Sequence, residues 1–374
     1  MLNKKFQPLL ETFELPNGVQ LKNRVVMAPM TNYSSNPDGT VSEEEVAYYV
    51  RRSKGVSMVI TACTYVTANG QGFPGEFGGH TDEMIPSLRQ LATAIKSEGA
   101  KAILQIFHGG RQVPVELAPN GDVVSASAIP NEGDGNPVPR ALTEAEVESI
   151  IRDFGEATRR AIEAGYDGVE IHGANTYLIQ QFFSPHSNRR TDRFGGSLEK
   201  RLTFPLAVVD EVQRVVKEQT NESFIVGYRF SPEEPETPGI TMADTLVLID
   251  ELANKNLDYL HVSQMDFWST PRRGVEDTRS RIEIIQETVG DRVPVIGVGS
   301  IYSAEDALKA LTSGIPLIAL AREILIDPDW VEKIEQGRED EIMTKLDVNK
   351  QHELVIPNPL WQAIVNAPGW VPGV

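Results

Sequence analysis

Gly168-Val169-Glu170-Ile171-His172-Gly173-Ala174-Asn175-Thr176-Tyr177-Leu178-Ile179-Gln180 is the stretch whose reading decides the fold. Its first half is a short apolar run bounded by glycine, the length and composition of a buried parallel strand. Upstream, an amphipathic helical pattern ends at the turn pair Ala164-Gly165, so a helix feeds the strand. The pattern predicts that the chain turns helical at His172. Ligands of α/β folds bind beyond the carboxyl ends of parallel strands, which places His172, Asn175, Tyr177 and Gln180 where a site would form. A strand-capping role accounts for His172 taken alone. Two further donors, Asn175 and Tyr177, exceed what a cap needs.

Working outward, eight short apolar runs recur with helical stretches between them: Val25 to Ala28, Ser57 to Thr61, Ala102 to Phe107, Val169 to His172, Phe224 to Phe230, Tyr259 to Ser263, Val293 to Val298 and Leu317 to Ala321. No glycine-rich dinucleotide turn follows the first of them. Eight strand–helix repeats therefore favour a closed (β/α)8 TIM barrel over a doubly wound sheet. Phe13 to Leu21 reads as a small hairpin around Asn17-Gly18 and is expected to cap the barrel floor. Thr143 with Glu146, and Thr241 with Asp244, have the spacing of reciprocal helix caps. Long connections at Gly109 to Leu142, Ser231 to Ile240 and Gln264 to Asp277 follow strands three, five and six, on the rim where long loops carry function. The whole chain, 1–374, is expected to form one α/β domain, with the barrel over about 20–335 and a tail over about 345–374.

Forty per cent apolar residues suffice for a large core, and a net charge of −18 argues against nucleic acid and anionic membrane as partners. Any phosphate ligand must then be held by local donors against an unfavourable field. Cys63 is the only cysteine, so no disulfide framework or cysteine-rich metal site is expected, and the histidines His80, His186, His261 and His352 show no metal-ligand spacing. Met1 to Leu10 has no signal-peptide apolar core, and no later run reaches membrane-spanning length. A cytoplasmic location is the expectation. The acidic run Glu233, Glu234 and Glu236 reads as a solvated rim.

Four segments in order carry a family pattern: Lys22-Asn23-Arg24-Val25-Val26-Met27-Ala28-Pro29-Met30-Thr31, Gln105-Ile106-Phe107-His108-Gly109-Gly110-Arg111, the His172 segment, and Ser184-Pro185-His186-Ser187-Asn188-Arg189-Arg190-Thr191-Asp192-Arg193-Phe194-Gly195-Gly196-Ser197. Together they resemble the old yellow enzyme family of FMN-dependent ene-reductases, in its bacterial NADH-dependent flavin oxidoreductase branch. The resemblance runs from Phe6 to Trp330. It implies non-covalent FMN across the carboxyl ends of the strands, with NADH or NADPH as reductant and an electron-poor alkene as the small-molecule substrate.

By the same resemblance, Pro29, Met30 and Thr31 flank the flavin ring, Ala62 packs beside it, Gln105 bonds its pyrimidine edge and Arg229 faces N1 and O2. Gly299, Ser300, Ala321 and Arg322 are implied at the phosphate, Ala321 standing where the family pattern has glycine. His172 and Asn175 are implied to polarise the acceptor's oxygen, and Tyr177 to supply a proton. Tyr33, His108 and Trp268 are placed at the border of the substrate space, where a structural role fits each equally well. Cys63 reads as a small buried residue. Residues 351–374 lack Lys and Arg, which leaves no basic residue there to reach a neighbouring subunit, while Trp361 and Trp370 imply that the tail packs on something apolar. A homo-oligomer is the expectation. Two other readings stand beside this one: a flavin-binding barrel without turnover, and a tRNA dihydrouridine synthase, against which the acidic charge argues.

Overall fold

The computed structural model describes residues 2–133 and 135–374, so two stretches read above, the N-terminal segment and the loop after strand three, each include one residue outside the description. Eight strands build the barrel: β1 Val25–Met27, β2 Met58–Ile60, β3 Lys101–Phe107, β4 Gly168–Gly173, β5 Ile225–Phe230, β6 Tyr259–Val262, β7 Val295–Val298 and β8 Leu317–Leu320. Each pairs in parallel with the next, and β8 pairs with β1 to close the ring. This is a (β/α)8 TIM barrel.

Side-chain alternation explains why the strands read as continuous apolar runs. Val26, Met58, Ile60, Ile103, Ile225, Tyr259, Ile296 and Leu317 point into the barrel. Their neighbours Val25, Met27, Val59, Ala102, Leu104, Val169 and Val226 pack outward against the helices, so both faces are buried. The helix Glu144–Ala164 buries Val147, Ile150, Ile151, Phe154, Ala157, Thr158 and Ala161, a stripe at three- and four-residue spacing, and stops at Gly165 with φ +84°. Both expected capping boxes form, at Thr143/Glu146 and Thr241/Asp244.

The hairpin Phe13–Glu14/Gln20–Leu21 closes the amino end of the barrel, adding Leu15 and Leu21 to its interior cluster. Asn17 pins it there: its N–H donates to Asp258 Oδ1 at 3.2 Å and its side-chain amide to the Phe224 carbonyl at 3.3 Å. Burial pushes the Asp258 carboxyl up to about 6 and that of Glu45, in the cap of the helix Glu43–Ser53, up to about 7. Acids raised on folding contribute stability that is complete below their unfolded pKa near 4 and is lost as pH rises through the folded values. The melting temperature is therefore expected to fall between pH 5 and pH 8. Glu45→Gln, which keeps the cap, should flatten the upper part of that slope, and an unaltered slope in the variant would remove Glu45 as a cause.

β4 runs one residue past His172, and the chain does not turn helical there as its sequence predicts. Residues 174–177 form a turn, with Asn175 at φ +55° and Thr176 at φ +63°, before the short helix Leu178–Phe183. A left-handed β-branched threonine is strained, so the surroundings must hold it. Gln180 accepts from the Thr176 N–H at 3.0 Å, and Gln181 donates to the Thr176 carbonyl at 2.7 Å.

Candidate active site

At the carboxyl end of the barrel the inward-facing positions change from apolar to polar on four consecutive strands. Gln105 on β3, Glu170 and His172 on β4, Arg229 on β5 and His261 on β6 stand side by side, Gln105 level with Glu170 and Arg229 level with both His172 and His261. All five are buried. Gly227 on β5 is required beneath them, because a Cβ there would run into the Tyr259 ring that fills the barrel axis.

Above this layer lies a cavity of about 480 Å³, within the usual range of cofactor sites. Pro29, Met30, Thr31, Asn175 and Arg229 border it, and they also border a smaller recess of about 50 Å³ that adds Cys63, Gln105, His172 and Tyr177. Of the recess's rings, Tyr177 meets His172 edge-on at 5.0 Å and is backed by Phe107 and Phe73, edge-on at 4.9 and 6.2 Å, while Tyr33, at the larger cavity, meets Phe73 at 5.7 Å.

His172 Nδ1 accepts a bond from the Ala174 N–H at 3.3 Å, which fixes the proton of the neutral ring on Nε2. Burial, with the Arg229 charge second, holds the imidazole well below its ordinary pKa, so it is neutral throughout the physiological range. Asn175 Oδ1 accepts from Ser263 Oγ at 2.7 Å, leaving its Nδ2 hydrogens for the cavity, and its backbone N–H is held by Ser231 Oγ at 2.9 Å. Burial raises the Tyr177 hydroxyl well above its usual pKa, so it keeps its proton. The arrangement offers two neutral N–H donors and one protonated phenol to a single small recess.

At the far end, Gly299, Ser300, Ala321 and Arg322 border the larger cavity together. Arg322 donates to Ser300 Oγ at 3.0 Å and to the Trp370 carbonyl at 3.1 Å. Glu323 borders the same end, 1% exposed, and neither of its carboxyl oxygens has a hydrogen-bond partner among the described residues. Burial, reinforced by Asp327, pushes it up to about 10. It is therefore uncharged at neutral pH and does not repel an anion beside Arg322, despite the acidic chain.

Several residues singled out from the sequence lie elsewhere. Ala62 borders neither cavity, its N–H being turned outward to the Tyr49 hydroxyl at 2.7 Å; Cys63, one residue on, faces the recess instead. Gln180 is buried outside it, bonded to Glu234 at 2.8 Å. His108 accepts from the Gly110 N–H at 2.9 Å, and burial lowers it to about 3, so it shapes its own loop and borders neither cavity. Trp268 packs outside, its ring 4.3 Å from Lys309 Nζ, while Met265 of the same loop takes the wall position. The acidic run is no solvated rim: Glu234 is buried, and Glu233 pairs with Arg281 at 2.6 Å with its side chain 1% exposed. Tyr302 and Ser263 border the larger cavity with no signal in the sequence that marks them, and Trp370, read from the sequence only as a packing residue of the tail, borders it too.

Whether these residues suit a flavin can be tested on one atom. Arg229 Nε is buried with no hydrogen-bond partner among the described residues, a cation aimed into the cavity with no bonded counter-ion. A buried unpaired charge is costly unless a ligand answers it, and the pyrimidine edge of a flavin is such a ligand. No helix among the described residues is long and apolar enough to cross a membrane.

Comparison with known proteins agrees with this chemistry. A family model described as NADH:flavin oxidoreductase / NADH oxidase matches residues 6–341. A Bacillus subtilis protein named "Probable NADH-dependent flavin oxidoreductase" is 56% identical over 99% of both chains. An NADH:fumarate oxidoreductase of Klebsiella pneumoniae is 45% identical over 95% of this chain, which spans only 38% of that longer protein. Among solved structures, morphinone reductase in complex with tetrahydroNAD superposes with a TM-score of 0.75 at 29% identity, covering 88% of this chain and 91% of that one.

Proposed function

The chain belongs to the NADH:flavin oxidoreductase / NADH oxidase family, and from that premise we propose that it passes the electrons of a reduced nicotinamide to the carbon–carbon double bond of an α,β-unsaturated carbonyl or nitro compound. Family membership makes FMN the cofactor and NADH or NADPH the reductant. When bound, FMN supplies the hydride chemistry that links the two half-reactions.

Gln105 and Arg229 would hold the pyrimidine edge, Pro29, Met30 and Thr31 the flank of the ring, and Gly299, Ser300, Ala321 and Arg322 the phosphate. The observation that carries the substrate reading is the pair of orphan donors. His172 Nε2 and Asn175 Nδ2 are each left over after the other polar atom of the side chain has been used, and both residues border the recess. Two N–H donors on one carbonyl or nitro oxygen stabilise the negative charge that develops there as the β-carbon accepts hydride. Tyr177, which keeps its proton, then protonates the α-carbon, so one hydride and one proton balance the reduction.

Purified protein should be yellow, release FMN on denaturation, and oxidise NADH or NADPH faster when 2-cyclohexenone or a nitroalkene is added. FMN-loaded protein that no such acceptor stimulates would overturn the substrate assignment. One observation favours a second reading: the fumarate oxidoreductase is more than twice as long as this chain, so a barrel of this kind also occurs as one part of a larger reductase. An FMN-loaded barrel that reduces a one-electron dye but no alkene would establish that electron-input role.

A further inference from the structure

We infer that Glu170 is a positioning residue for the cofactor: its carboxylate fixes the Gln105 amide and offsets the Arg229 cation, and thereby sets the midpoint potential of bound FMN. The inference rests on the reading of Gln105 and Arg229 as the groups that face the flavin pyrimidine.

Glu170 is completely buried, on the inward face of β4 directly below His172. One oxygen accepts from Gln105 Nε2 at 2.7 Å, and the other lies 2.9 Å from His261 Nδ1. An ionised carboxylate can only accept, so Gln105 must turn its amide nitrogen toward Glu170 and its carbonyl oxygen away from it. That carbonyl is the acceptor an imide N–H on a flavin pyrimidine requires.

Burial works to push the Glu170 carboxyl up, but the bond it accepts from His261, the nearby Arg229 charge and the Gln105 bond hold it below the ordinary carboxylate range. His261 is held down by burial more than Glu170 restores it, so it is a neutral ring donating Nδ1–H. The negative charge on Glu170 is therefore not cancelled by the histidine. It is felt by Arg229, whose own pKa burial lowers and Glu170 raises. In a dry interior, charges interact strongly through space without contact.

A flavin gains negative charge at its pyrimidine side on reduction. The local charge it meets is Arg229 partly offset by Glu170, which favours the reduced form less than a free guanidinium would. Glu170→Gln removes the charge and keeps an amide oxygen for Gln105. Reduced FMN should then bind at least tenfold tighter relative to oxidised FMN than in the native protein, a rise of about 30 mV for a two-electron couple.

The test is the midpoint potential of FMN-loaded native protein and Glu170→Gln, equilibrated against a reference dye, with FMN dissociation constants measured in parallel. An unchanged or lower potential in a variant that still holds FMN overturns the inference. Native protein that fails to bind FMN sinks instead the underlying reading of the site, and the two failures are told apart by that control. Should Glu170→Gln not fold, Arg229→Gln and the double variant Glu170→Gln/Arg229→Gln make the same comparison. The double variant must have the higher potential of the two, because it lacks the buried carboxylate whose charge nothing at position 229 offsets in Arg229→Gln; equal potentials overturn the proposal. A residue that served only the packing of the barrel would shift FMN affinity without moving the potential in one direction.

Discussion

Replacing His172 and Asn175 together by alanine is expected to lower kcat/KM for 2-cyclohexenone by about 10⁴-fold or more while FMN stays bound. Each donor to a developing oxyanion contributes roughly 10²–10³ in rate, and two donors on one oxygen lose much of that jointly. Neither residue belongs to the sets placed at the pyrimidine or the phosphate, so the flavin spectrum should persist. Binding of a simple phenol, read from its long-wavelength charge-transfer band, should vanish in the same variant. Ser263→Ala is the gentler companion: it frees Asn175 Oδ1, lets the amide rotate, and should cost about tenfold. Enone turnover within a few-fold of native in the double variant would remove both residues from the acceptor site.

The second large effect is expected at Gly299. Its φ of +130° is one that side-chain-bearing residues rarely adopt, and a Cβ there would sit 2.6 Å from the Phe267 nitrogen and 2.8 Å from the Asp266 carbonyl carbon. Those are backbone atoms of the loop that also supplies Met265 to the cavity wall, and the Phe267 N–H donates to the Gly299 carbonyl at 3.1 Å. Gly299→Ala must force the two segments apart, at a cost of about 2–4 kcal/mol. Ser300, which receives Arg322, moves with them. The variant should melt at lower temperature and bind FMN at least tenfold more weakly. Native melting and native affinity together would show that the turn is not part of the phosphate end.

How much of this is legible in the chain differs by element. The eight strands could be read because a barrel buries both faces of each one, which leaves an apolar run whichever way a residue points. The placement of His172, Gln105 and Arg229 follows from the same rule, since a polar residue near the carboxyl end of such a run has few other reasons to be there. Strand β2 ends at Ile60, and beyond it Cys63 rather than Ala62 borders the recess, a difference of one position that pattern cannot show. Gln180 and the acidic run were misread because Gln180 meets Glu234, and Glu233 meets Arg281, only when distant rim loops pack on one another. Ser263 and Tyr302 carry no motif at all, and Trp370 is marked only as an apolar residue of the tail. Their roles exist only in the folded cavity.

Trp370 gives the cavity a wall from a part of the chain synthesised after every barrel strand. On the ribosome, that cavity therefore lacks this part of its wall until residue 370 has cleared the exit tunnel, however early the barrel itself closes. For work at the bench, a purification handle is better placed ahead of the floor hairpin than beside the tryptophan that borders this cavity.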